Sequence, residues 1–588
     1  MVLSAVRVIL IGLLSGLLLP VLQGHALVLA STPAVDSAQT VQTTASETTR
    51  DNAPARAAPN ILLLMAEDMS ARVGRFGDPV ADTPNLDALA QQGVMYPNTF
   101  TTAGVCAPSR AAHILGMHQI ATGSQHMRSS GGPNGGYLSV PPPYAKAYPE
   151  LLRRAGYYTY TDTKLDYQFS GPFWRSGPFT IWDDTGRDTS WRNRAPSQPF
   201  FGFTNFAVTH ESGIFQPLGH WPHSVIHLVM QVLRAVQSPD VELAQPTDPA
   251  AIIVPPYYPD TPTVRADMAR HYDNIAIMDR QVGALLKQLE SDGLADSTIV
   301  IWTTDHGDGL PRGKRELYDS GIKVPMIIRW PEAYRPQGVA PGSVDLRMVS
   351  FVDIAPTVLR LAGVEVPAHM HGRDFVRGER RRYIYASRDR IDEVPDRQRA
   401  VSDERFKYIR SWYPNLAGGH PLRFRDNIDM VREMRELYED RRLNARQRLW
   451  FEPVGEERLF DLQKDPFELN NVLEQPQYQL DADRMRLALE AWLDRIEDWS
   501  DRPESSMAQD FQPAGTTPVT APPVAQLGEG RLQLSASESA SVGYRINNGA
   551  WQLYSRPVPV SPGTTVDAKA VRYGWEESNV VTVVVPAK

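Results

Sequence analysis

The sequence predicts an α/β domain on a mainly parallel sheet, followed by a smaller C-terminal antiparallel-sheet subdomain and an added all-β sandwich. Three observations predict it. Short continuous apolar runs, NILLLMA at 60–66 and STIVIWT at 297–303, have the pattern of strands buried on both faces of a parallel sheet. Between them lie segments with apolar residues at helical spacing, and that alternation marks an α/β domain. Beyond residue 372 the runs shorten, and beyond 526 apolar and polar residues alternate between turn signals.

With 588 residues and 42% hydrophobic content, the chain can bury a large core and carry accessory modules. Its net charge of -8 and lack of a long basic run suggest neither nucleic acid nor an anionic membrane as a partner. Local cations would have to meet an anionic substrate.

The elements follow in order. Residues 1–26 place Arg7 ahead of an apolar run and end in small residues, the layout of a cleaved secretory signal. Cleavage would leave a secreted or periplasmic protein without stable membrane insertion; the competing reading is a single membrane anchor. Residues 27–57 form a flexible lead-in. The main domain, 58–371, opens with the strand at 60–66. The stretch TPNLDALAQQG at 83–93 reads as a helix with a Thr83 cap, Pro84 at its first position and Gly93 at its end. A longer helix, about 263–292, leads into the second buried strand. Residues 372–502 hold strand-like pieces at 382–386, 406–410 and 458–462 around an Arg-rich helical stretch. Residues 503–525 read as a Pro/Thr/Ala-rich linker, and 526–588 as a small β-sandwich with Asn547-Asn548-Gly549 as a hairpin signal. Trp551, Tyr554 and Trp575 either stack on sugar rings or form the core of that sandwich.

Glu67-Asp68 and Asp305-His306 follow the two buried strands, where an open α/β sheet presents ligands. Either pair alone could cap a following loop or helix. Together at one sheet edge they would repel unless a divalent cation neutralised them, and oxygen ligands favour calcium or magnesium. Cys106 is the only cysteine. In an exported protein it cannot pair within the chain, so it is either an unpaired structural thiol or a functional group.

The segment VCAPSR at 105–110, followed by Ala111, Ala112 and Gly116, matches the Cys-x-Pro-Ser-Arg signature of type I sulfatases. Further ordered matches are the TPNLD helix, TDHG at 304–307, Gly313-Lys314, VDIAPT at 352–357 and LFDLQKDPFE at 459–468. Over about 58–500 the chain therefore resembles the formylglycine-dependent sulfatases of the alkaline phosphatase superfamily. The resemblance implies an alkaline-phosphatase-like α/β/α sandwich. It also implies that a formylglycine-generating or equivalent maturation enzyme oxidises Cys106 and that the hydrated aldehyde attacks sulfur. One divalent cation, with calcium expected, would be held by Glu67, Asp68, Cys106, Asp305 and His306. The catalytic set would be Cys106, Arg110, Lys164, His210 and Lys314, with His210 protonating the leaving group or holding a sulfate oxygen; its other reading is a satisfied buried histidine.

Three positions depart from the family pattern. Glu67 replaces an Asp, and His306 stands where many relatives have Asn, to ligate the ion or only to hydrogen-bond the sulfate. Asp166 replaces the histidine two residues after the lysine, and His126 is the candidate to supply the missing contact, against a plain loop histidine. The run IVPPYYPDTP at 253–262 with Arg265, Asp267 and Asp279 is similar to the N-sulfoglucosamine sulfohydrolase branch. This implies a sulfated oligosaccharide or polysaccharide as substrate, such as a glycosaminoglycan, with O- and N-sulfate both open. The tail resembles the C-terminal domain of chitobiase and β-hexosaminidase. A phosphonate or phosphate monoester hydrolase and a glycan-binding pseudoenzyme are the alternatives.

Overall fold

The computed structural model describes residues 57–129, 136–162, 164–170, 178–237 and 245–587. The expected signal segment and all but the last residue of the lead-in lie outside them. Every residue of the strand Asn60–Ala66 (β1) is buried, with Ile61, Leu63 and Met65 in one apolar cluster and Leu62, Leu64 and Ala66 in another. Side chains alternate across a strand, so apolar residues at every position require cover on both faces of the sheet.

That sheet has nine strands. The others are Val94–Phe100 (β2), Tyr158–Thr161 (β3), Asp184–Thr185 (β4), Phe200–Phe206 (β5), Thr298–Thr304 (β6), Lys323–Arg329 (β7), Ser343–Val344 (β8) and Val349–Ser350 (β9). The order is β4-β3-β5-β1-β6-β7-β2-β8, with β9 beside β2; β7 alone runs antiparallel to its neighbours. Helices Cys106–Leu115, Tyr148–Arg154 and Ile354–Leu361 cover one face through Ile114, Leu115, Leu152 and Val358. Helices Pro84–Gln92 and Pro262–Ser291 cover the other through Leu86, Leu89, Ile275, Met278 and Val282. This is the α/β/α layering the sequence predicts.

A second sheet, Ile384–Arg388 (β10), Gln398–Ser402 (β11), Phe406–Ser411 (β12) and Glu457–Asp461 (β13), is antiparallel throughout and packs on the helix Gln479–Leu493. The β-sandwich consists of Val524–Gly528 (β14), Arg531–Ser535 (β15) and Val558–Pro559 (β18) facing Ser541–Ile546 (β16), Gln552–Leu553 (β17), Thr565–Val571 (β19) and Val581–Val584 (β20). Its core is Leu532, Leu534, Val542, Val558 and Val566. Asn547 and Asn548 both have positive φ, 46° and 60°, and Gly549 N–H returns to Ile546 C=O, which closes a tight turn in the connection from β16 to β17.

Two local expectations are corrected. Thr83 is the N-cap of Pro84–Gln92, but its hydroxyl accepts from Gly74 N–H; Asp279 of the long helix takes Asn85 and Leu86 N–H instead. The stretch expected as a linker contains a helix, Glu504–Phe511, whose Met507 and Phe511 pack against Tyr137. Its apolar residues at helical spacing find a partner that composition alone does not reveal. Trp551 and Trp575 are half-buried, the first against Phe179 and Lys569, the second under Arg572. Among the described residues no helix is long and apolar enough to cross a membrane.

Candidate active site

Strands β1 and β6 pair in parallel with Ala66 beside Thr304, so the turns bearing Glu67-Asp68 and Asp305-His306 leave the same sheet edge side by side. Asp68 turns in the left-handed region, φ 50°, which Asp tolerates better than most residues. Its N–H donates to Asp305 Oδ1 at 3.0 Å. Gly307 lets the second turn close, since a Cβ there would sit 1.9 Å from the Ser320 carbonyl oxygen.

Cys106 reaches this edge as the first residue of the helix Cys106–Leu115 and is fully buried. The free N–H groups and dipole at a helix start favour negative charge there. Its Sγ lies 3.2 Å from His306 Nε2 and 3.6 Å from Asp68 Oδ1. One turn on, Arg110 places Nε and Nη2 at 3.1 Å from Asp305 Oδ2 and donates from Nη1 to Asn205 Oδ1. Arg110 thus orients the Asp305 carboxylate, and Asn205 is itself held by Asp162.

Lys314 Nζ sits between Asp68 Oδ2 at 2.7 Å and Glu211 Oε1 at 2.8 Å, with His210 Nε2 at 3.4 Å. Burial opposes ionisation of Asp68, but Lys314, His210 and His306 outweigh it and hold the carboxyl well below its ordinary range. His210 Nδ1 lies 2.9 Å from Ser212 Oγ and 3.3 Å from Ser212 N, and Nε2 faces Lys314 Nζ at 3.4 Å and Asp68 Oδ2 at 4.0 Å. Burial, then Lys314, hold its pKa well below the ordinary histidine value. Lys164 Nζ donates to Glu67 Oε2 at 2.8 Å, while Glu67 Oε1 is buried with no hydrogen-bond partner.

The five expected metal ligands fall, together with His210, into two overlapping groups. Asp68, Cys106, Asp305 and His306 offer donor atoms within 4.8 Å of one another, as do Glu67, Asp68, Cys106 and His210. His306 Nδ1 donates to the Gly307 carbonyl at 3.0 Å, so in a neutral ring Nε2 turns a lone pair toward Asp68 Oδ1 at 3.0 Å and Asp305 Oδ1 at 3.7 Å. Burial works against protonation, yet Asp305, Cys106 and Asp68 raise the ring's pKa well above its ordinary value. The cage therefore demands positive charge beside His306, and a divalent cation fits that donor set. The orphaned Glu67 oxygen fits a cation as well.

His126 is not brought into this group. Its ring is surrounded by Glu504, Arg390, Arg399 and Asp498, neither ring nitrogen has a hydrogen-bond partner, and burial lowers its pKa to about 4. Asp166 does reach the site, 3.9 Å from Lys164 Nζ and 3.8 Å from Arg128. Sequence reasoning missed Glu211, Arg315 and Asn205. Glu211 carries Lys314 and both arms of Arg315; its sequence signal was its place directly after His210, as that of Arg315 was its place after Lys314.

A buried thiol at a helix start, a carboxylate cage at a parallel sheet edge and a set of buried cations form a site suited to hydrolysing anionic esters. The chain belongs to the sulfatase family, whose members hydrolyse sulfate esters: the Sulfatase family model matches residues 59–364, and the N-sulphoglucosamine sulphohydrolase C-terminal model matches 312–449. An ulvan-active sulfatase of Formosa agariphila is 38% identical over 559 residues, covering 89% of this chain and 91% of that protein. The human N-sulphoglucosamine sulphohydrolase is 28% identical, over 53% of this chain and 63% of that protein. A solved 2-O GAG sulfatase shares the fold with a TM-score of 0.52 and 19% identity, over 76% of this chain and 94% of that one.

Proposed function

We propose that this protein is an exported sulfatase that removes sulfate from a sulfated oligosaccharide or polysaccharide through a formylglycine made from Cys106. The observation that carries the mechanism is the buried lone cysteine at a helix start, within 3.6 Å of both Asp68 and His306 and flanked by Arg110, Lys164 and Lys314. The substrate class is supported by the ulvan-active relative and by the human N-sulphoglucosamine sulphohydrolase. Export is supported by the signal-like layout of residues 1–26.

Conversion of Cys106 supplies a hydrated aldehyde, one hydroxyl of which accepts the sulfuryl group while the other permits its later expulsion. A divalent cation, calcium by the hardness of the carboxylates, would be held by Asp68, Asp305 and His306 with Glu67, and would neutralise sulfate charge. Lys314 and Lys164 carry ammonium donors that sulfate oxygens can share with Asp68 and Glu67. His210 Nε2 faces the same space, where it meets the oxygen that leaves with the sugar. Arg110 keeps Asp305 ionised and aimed.

The test is mass spectrometry of the Cys106 peptide from the native host, paired with sulfate release from defined sulfated disaccharides. An aldehyde-bearing peptide and release that disappears in Cys106→Ala are expected. Only unmodified thiol would overturn the mechanism, and a strong preference for aryl phosphate over matched aryl sulfate would overturn the substrate assignment.

A further inference from the structure

The loop that carries Lys164, residues 164–170, has two non-glycine residues in the left-handed region, Asp166 at φ 46° and Gln168 at φ 64°. Such conformations persist where the surroundings over-determine them. Part of those surroundings belongs to the C-terminal β-sandwich. Phe169 is sandwiched between Tyr167, at a centroid distance of 5.7 Å, and Tyr573, at 5.1 Å and only 4° from parallel. The Phe169 carbonyl accepts from Gly574 N–H at 3.2 Å, and the Gln168 carbonyl from Ser139 N–H at 3.0 Å.

Tyr573 is fixed in its turn. It is buried, its hydroxyl donates to Glu150 Oε2 at 2.7 Å, and the hydroxyl oxygen itself accepts from Ala147 N–H at 3.3 Å. Gly574 has φ 82°, and a Cβ on it would lie 2.2 Å from the Ser139 carbonyl oxygen, so this turn is wedged between two segments of the main domain.

We propose that Tyr573 and Gly574 are positioning residues for Lys164, so that the β-sandwich completes the active site instead of serving as a detachable module. The stacked pair and the Gly574–Phe169 hydrogen bond fix the 164–170 loop, and the loop sets where Lys164 Nζ meets Glu67. The inference rests on Lys164 acting at the sulfate site.

The experiment measures kcat/KM for an aryl sulfate with the full-length, converted enzyme carrying Tyr573→Leu, Tyr573→Phe, Lys164→Ala, or Tyr573→Leu with Lys164→Ala. Displacing a positioned group by about 1 Å costs up to roughly a hundredfold, so Tyr573→Leu is expected to lose about ten- to hundredfold. Tyr573→Phe keeps the stack and most of the activity. In the Lys164→Ala background the Tyr573→Leu loss should shrink to about twofold or less, the non-additivity of coupled residues. Losses that multiply, or an unimpaired Tyr573→Leu beside an impaired Lys164→Ala, would overturn the inference alone. An unimpaired Lys164→Ala would overturn the reading of Lys164 and this inference with it. If Tyr573→Leu does not fold, Phe169→Leu removes the other half of the stack and carries the same comparison.

Discussion

Glu211 holds Lys314 through Oε1 at 2.8 Å and grips Arg315 with both oxygens at 2.8 and 2.9 Å, while its own N–H donates to Asp68 Oδ2 at 2.7 Å. Burial raises its pKa, but Arg315 and Lys314 outweigh burial and bring it to about 2. Glu211→Gln would leave two buried cations short of one charge, and breaking a buried pair costs about 3–5 kcal/mol. We expect a clear fall in melting temperature together with lower kcat/KM, checked by thermal denaturation and aryl sulfate kinetics on the same preparation; an unchanged melting temperature would sink the argument. His210→Ala removes the Nε2 contact to the leaving oxygen and should lower kcat by about a hundred- to a thousandfold, the usual cost of one polar group set against developing charge, with binding little affected. Cys106, Arg110 and the two acidic pairs were legible because their chemistry is carried by residue type and short spacing. Glu211 and Asn205 were not, because their roles depend on partners 104 and 95 residues away in the chain.

Elements were most legible where burial is two-sided. The runs at β1 and β6 could be read as interior strands because a short, uninterrupted apolar stretch suits a sheet covered on both faces. Helix ends were less legible, since a cap can come from anywhere in space. Asp279 shows this: from the middle of Pro262–Ser291 it accepts from Asn85 and Leu86 N–H at 3.1 and 2.8 Å, and so caps Pro84–Gln92 across a helix–helix contact. Loss of an N-cap costs about 0.5–2 kcal/mol, and Asp279 adds the Asn85 side-chain bond at 2.7 Å. Asp279→Ala should therefore lower unfolding free energy by about 2 kcal/mol in urea titration. Thr83→Ala, which removes only the Gly74 contact, should cost less. Equal losses would mean that Asp279 secures this helix no better than Thr83 does.

At the scale of the whole molecule, one buried carboxylate ties the β-sandwich to the main domain. Glu150 of the helix Tyr148–Arg154 accepts from Ser541 Oγ and Tyr573 hydroxyl of the sandwich at 2.6 and 2.7 Å, and from Thr180 Oγ1 at 2.7 Å. Composition could mark the sandwich as a separate module but could not reveal this anchor, which joins residues 391 and 423 positions apart. Burial raises the Glu150 pKa, yet Lys146, Arg154 and the Ser541 and Thr180 hydroxyls bring it from its ordinary 4.5 down to about 2. At about 1.4 kcal/mol per pH unit, that displacement corresponds to about 3 kcal/mol favouring the folded, ionised form. Because the folded value is depressed, this stability is present above about pH 4.5 and is lost as pH falls toward about 2. Glu150→Gln removes the ionised form at every pH. The gap in unfolding free energy between wild type and Glu150→Gln should accordingly be widest near neutrality and narrow progressively in acid, measured by urea unfolding across that range. A gap that stays constant from neutral pH to about pH 3 would show that the anchor holds through its hydrogen bonds alone, without its charge.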